Sequence, residues 1–121
     1  MDRLNQAKQL QDRTKIFAVR IIKAFSRLPK NEAVRTIGRQ SLRSDTSLAA
    51  NYRAACRARS AADFISKIAI ITEETDETLF WFELLVESNL IDVKLVEPLM
   101  SECDQLLKIF SASLTTAKGN R

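Results

Sequence analysis

Glycine and proline, the residues on which tight turns depend, occur only twice each along 121 residues. That scarcity constrains the fold more than any other feature. A β-protein of this size needs a turn roughly every ten residues, and such turns call for Gly, Asn or Pro. Long helices joined by few loops need almost none. The expected class is therefore all-α. A chain of this length suits a single domain (1–121), and its 45% apolar content supplies a core and argues against disorder.

Apolar residues recur with helical spacing in four blocks. In the first, about 3–28, the stripe is Leu10, Thr14, Phe17, Ala18, Ile21, Ala24, Phe25 and Leu28. Ile16, Val19 and Ile22 widen it, so this helix asks for cover on more than one side. Pro29 ends it, because proline cannot continue the ladder and biases Leu28 away from helical angles. Asn31 can cap the second helix, about 32–57. Its stripe runs through Val34, Ile37, Gly38, Ser41, Leu42, Asp45, Leu48, Ala49, Tyr52, Ala55 and Cys56. Many of these are small and admit a close neighbour. A charge at Asp45 is expensive there unless paired, with Arg and Lys of the first helix as candidate partners.

Ser60 followed by Asp63 reads as the start of a third helix, about 60–88, with Asn89 as its stop signal. Phe64, Ile68, Ile71, Thr75, Leu79, Phe82, Leu85 and Val86 form its stripe. Asp92 can cap the fourth, about 93–117, which carries Val96, Leu99, Met100, Cys103, Leu106, Leu107, Phe110 and Leu114. Pro98 is awkward inside it. Either the helix proper begins at Pro98, or a short turn precedes a kink. Such short loops force an antiparallel, up-down-up-down four-helix bundle. Three of the helices carry more apolar surface than one seam needs, which points to a homo-oligomer.

Charge is strongly segregated. Residues 1–60 hold fourteen Lys/Arg and four acids, a net +10, whereas residues 61–104 hold two Lys and eleven acids, a net −9. Either the basic half packs on the acidic half, within or between subunits, or the protein meets charged partners. The polar N-terminus has no apolar run of the length that export requires, and no segment approaches the roughly 20 apolar residues of a membrane span. Cys56 and Cys103 sit among alanines and leucines and read as reduced core thiols. The expected location is cytoplasmic, with no membrane partner.

Catalytic chemistry finds little to work with. Histidine is absent, which removes the usual general base and the commonest metal ligand. Two isolated cysteines cannot build a zinc site, and neither glycine belongs to a phosphate-cradling loop. Glu73, Glu74, Asp76 and Glu77 cluster, but di-iron bundles need Glu-x-x-His pairs as well. They read instead as a solvated or ion-paired face, with Glu74 positioned to meet an Arg of the second helix. No catalytic residue, metal or cofactor is expected.

The arginines are the better candidates. Arg35, Arg39 and Arg43 recur every four residues along one side of the second helix, and Arg53, Arg57 and Arg59 cluster at its C-terminal end. Such rows can track the phosphate backbone of RNA or DNA without reading sequence. The competing account pairs them with the third helix's acids. No aromatic platform for stacked bases interleaves with them. A second, polar row contains Gln40, Arg43, Ser44, Ser47 and Asn51, suited to hydrogen bonds between helices, within the bundle or at a subunit contact.

The run Arg43-Ser44-Asp45-Thr46-Ser47-Leu48-Ala49-Ala50-Asn51-Tyr52-Arg53-Ala54-Ala55 resembles the RSxTSxxANYRxA segment of bacterial four-helix-bundle proteins, the 23S rRNA intervening-sequence (S23) family. The resemblance continues through Arg57-Ala58-Arg59-Ser60, Ala62-Asp63-Phe64-Ile65 and Lys67. It extends over Glu73-Glu74-Thr75-Asp76-Glu77-Thr78 and on to Trp81, Glu83, Leu84 and Leu85. It covers about residues 28–90; Asp45 departs from it, since relatives often have glycine there. The resemblance implies an antiparallel bundle that assembles into a ring-shaped homopentamer. Similar bundles are accessory proteins of diversity-generating retroelements, so it also implies a reverse transcriptase and nucleic acid as partners.

Overall fold

In a computed structural model, which describes residues 3–119, the chain forms four helices. They are α1 (Arg3–Phe25), α2 (Glu32–Ala55), α3 (Ala61–Glu87) and α4 (Val93–Gly119). No strand occurs among the described residues. Each helix packs on the next and α4 returns to α1, while the backbones of the diagonal pairs stay apart. The α2–α3 seam is the broadest and the α1–α4 seam the narrowest. This is the expected four-helix bundle.

The starts follow local chemistry. Asn31 accepts from the Val34 amide at 3.1 Å and Ser60 from the Asp63 amide at 3.1 Å. The Lys94 amide donates to Asp92 at 3.0 Å. Each of these side chains satisfies an amide that the first helical turn leaves without a partner. Asn89, at φ 60°, takes the left-handed conformation that closes α3.

The ends of the first two helices fall short of expectation. Arg27 and Leu28 bond three residues back, to Ala24 and Phe25, so the chain tightens before Pro29 and α1 stops at Phe25. Arg57 and Ala58 do the same at the end of α2. Leu28 and Phe25 then close over Gly38. A Cβ there would lie 2.7 Å from Leu28 Cδ1 and 3.1 Å from the Phe25 ring, so the glycine admits the end of α1.

Pro98 does not begin the helix, which corrects one of the alternatives offered for it. The helix begins five residues earlier, at Val93, and runs through the proline. Proline lacks the amide that would bond to the Lys94 carbonyl. Both residues are exposed, so water can take that carbonyl.

Phe17, Leu48, Ile68, Ile71, Leu85, Leu106 and Phe110 are fully enclosed. The rings of Tyr52 and Phe110 meet across the bundle centre at 5.4 Å. Of the two free thiols, Cys103 is buried but Cys56 is exposed at the end of α2, so only one is a core thiol. The widened stripe of α1 stays uncovered within the chain: Ile16 is 60%, Val19 44% and Ile22 50% exposed. No described helix is long and apolar enough to cross a membrane.

Candidate nucleic-acid interface

Helix geometry unites arginines that the linear order separates. Arg35 and Arg53 are eighteen residues apart, about five turns, so they share one angular position over about 27 Å of α2. Arg39 stands one step round, while Arg57 lies in the turn just past the end of α2. Arg43 stands further round, donating to Gln40 Oε1 at 3.2 Å, and Arg59 lies in the following turn. All six are exposed. Among the described residues none forms an ion pair.

No acid of α3 forms an ion pair with them, although Asp63 accepts from the Arg59 amide at 3.4 Å and feels its charge. Glu73, Asp76, Glu77, Glu83 and Glu87 are exposed and equally without a cation in ion-pair range. The seam between the two helices is filled by small polar side chains instead. Thr78 donates to Ser44 at 2.9 Å, and Asn51 donates to Glu74 Oε1 at 2.8 Å. Glu74 therefore meets an amide on α2 and no arginine, which corrects the expected pairing. Asn51 bridges the two helices, while Ser47 accepts from Asn51 and Gln40 from Arg43, both inside α2.

Asp45 is the second correction. It is wholly buried, and neither oxygen has a hydrogen-bond partner. No cation of α1 reaches it. Removal from water raises its pKa to about 8, so the carboxyl avoids the cost of a buried charge by holding its proton. The Cys103 thiol is likewise pushed up, first by burial and then by Asp45, and donates to the Thr75 carbonyl at 3.3 Å.

A recess of about 360 Å³ opens beside the arginine row, between α1 and α2. Ala49 and Ala50 line it from α2, and their short side chains leave the gap. Lys8 and Lys15 stand on the α1 side, Arg53 and Arg57 on the α2 side. The single acid lining it, Asp12, is held by Lys8 at 2.9 Å. Lys8 and Lys15 lie seven residues apart, about two turns, and that spacing alone placed them on one face of α1. Their meeting with Arg53 and Arg57 depends on the antiparallel register.

The narrow α1–α4 seam carries the one ion pair between helices among the described residues. Arg13 grips Glu102 through two bonds of 2.7 Å and reaches Gln105 at 2.8 Å. The Glu102 hydrogen bond is the main influence raising the pKa of Arg13. Nothing in the sequence singles out a pair 89 residues apart. No group of three His, Cys, Asp or Glu among the described residues is placed to hold a metal ion.

Comparison with known proteins agrees with the architecture. No curated protein matches the chain. The crystal structure of a protein of unknown function from the S23 ribosomal protein family of Bacteroides thetaiotaomicron, at 1.70 Å resolution, superposes with a TM-score of 0.78. It is 34% identical, and the match covers 86% of this chain and 96% of that one. The model of the 23S rRNA-intervening sequence protein family matches residues 7–112. With nearly its whole length inside that match, the chain belongs to the 23S rRNA-intervening sequence protein family.

Proposed function

We propose that the protein is a non-enzymatic, self-associating bundle that binds the backbone of a nucleic acid through the basic face of α2. The observation that carries this reading is the arginine row. Six exposed guanidinium groups, none in an ion pair among the described residues, form a field of one sign about five turns long. Such a field attracts a polyanion and releases its counterions on contact. With no aromatic platform among the arginines, the contact is made to phosphate and is indifferent to sequence. Self-association rests on Ile16, Val19 and Ile22, a strip of apolar surface on α1 that no other described part of the chain covers. A closed ring of copies, five by family resemblance, is the assembly proposed.

The test is fluorescence anisotropy with a labelled RNA and a labelled DNA oligonucleotide, titrated at several salt concentrations. Binding should weaken steeply with salt and fall at least tenfold on Arg39→Ala with Arg57→Ala. Absence of binding at low salt overturns the reading.

A second reading is favoured by the equally unpaired acids of α3: they and the arginines neutralise each other between neighbouring copies. It predicts that the same double substitution breaks the assembly and spares any nucleic-acid affinity. Sedimentation of the variant, run alongside the anisotropy, separates the two.

A further inference from the structure

We infer that the recess between α1 and α2 is the seat of the phosphodiester backbone, a site built from the lysines of α1 as much as from the arginines of α2. The inference rests on the proposed nucleic-acid reading and gives it a place. Four cations border the recess, and its one acid is already engaged by Lys8 at 2.9 Å. The surplus is therefore positive, and it is concentrated where two walls face each other.

The arrangement selects a chain of charges over a single small anion. Lys8 and Lys15 stand about 10 Å apart along α1, and Arg57 follows Arg53 just past the end of α2. The four groups thus line a path and do not converge on one point. No helix N-terminus among the residues lining the recess supplies backbone amides, which compact phosphate sites normally use. A volume of about 360 Å³ holds roughly a dozen waters. That is room for a phosphate and its sugar, so one strand's backbone lies between the walls.

The path continues beyond the recess. Arg39 and Arg35 lie on the same side of α2 as Arg53, so a strand leaving between Ala50 and Lys15 runs on over further guanidinium groups. Arginine can hold a phosphate through two parallel bonds, while lysine acts as a mobile point charge. The α2 wall would fix the strand and the α1 wall would neutralise it.

The discriminating variant is Lys8→Ala with Lys15→Ala, which leaves every arginine in place. Its control is Lys94→Ala with Lys108→Ala, which removes the same charge from α4. Both are measured by anisotropy against labelled single-stranded RNA and DNA 20-mers, with sedimentation of the full-length protein alongside. The recess variant should bind at least tenfold more weakly than the wild type. Its salt slope should be lower by about one to two, as for two lost phosphate contacts. The control should bind like the wild type. Equal weakening of both variants would show that net charge alone matters and would overturn the site. Undiminished binding by the recess variant, beside weakened binding by Arg39→Ala with Arg57→Ala, would overturn the site while the nucleic-acid reading stands. Failure of the wild-type protein to bind at low salt removes both. Loss of assembly in the recess variant, with its affinity intact, would give the recess to a second copy of the chain.

Discussion

The α2–α3 and α1–α4 seams invert what their charges suggest. The first joins a helix rich in arginine to a helix rich in acids, yet no ion pair crosses it among the described residues. The second is the narrowest contact in the bundle, and there Arg13 and Glu102 form a two-pronged bridge. Helical phase explains the difference. The arginines of α2 lie on the side away from its buried residues, and Glu73, Asp76, Glu77, Glu83 and Glu87 of α3 are likewise exposed, with only Glu74 turned into the seam. Glu102 instead borders the buried stripe of α4 and reaches across. Opposite charges on adjacent helices pair only where their phases both meet the seam.

The largest expected effect comes from the carboxyl that α2 does bury. Asp45 has an ordinary pKa of 3.8 when unfolded and about 8 when folded, so the folded state holds the proton more tightly. Its stabilising contribution is complete below about pH 4 and is lost progressively up to about pH 8. Asp45→Asn removes that dependence. In urea titrations the variant and the wild type should be similar near pH 4, and the variant more stable by on the order of a few kcal/mol near pH 8. A gap that stays constant with pH would mean that Asp45 is charged and paired.

At the thin seam, Glu102→Ala should cost about 1–2 kcal/mol, measured as a lowered denaturation midpoint. The loss is limited because the Arg13 side chain is 34% exposed and the abandoned guanidinium can turn to water. High salt should shrink the difference. At the broad seam, Thr78→Val keeps the shape and removes the hydroxyl that reaches Ser44, at a cost of about 1 kcal/mol that salt leaves unchanged. The two salt responses together separate a seam held by charge from one held by neutral hydrogen bonds.

The smallest expected effect is that of Arg39→Ala with Arg57→Ala on the melting temperature of the dissociated chain. Exposed side chains without partners contribute within about 0.5 kcal/mol. A larger drop would place the two arginines in contacts that hold the bundle together, and the contrast between the seams would disappear.

Much of the fold is legible residue by residue. Asn31, Ser60 and Asp92 announce helix starts through a local bond to an amide two or three residues on, which any sequence reading can find. Asn89 marks a stop for an equally local reason. Pro98 was harder to place, because its effect depends on whether water can reach the Lys94 carbonyl. Of the candidate interface, the exposure of the arginines follows from their distance from the apolar stripe. No local signal marks Lys8 and Lys15 as partners of Arg53 and Arg57, since they lie 38 to 49 residues and one chain reversal away.

Amino-acid order alone therefore dictates four amphipathic helices, their capped starts and the segregation of charge, since each depends on neighbours within a turn or two. Which charges meet was settled only when the helices packed. Glu74 went to Asn51 and Arg13 to Glu102. Asp45 was left alone with its proton, and a recess opened over Ala49 and Ala50. These outcomes depend on the rotation and register of one helix against another, set by the packing of the whole core, which no short stretch of sequence encodes.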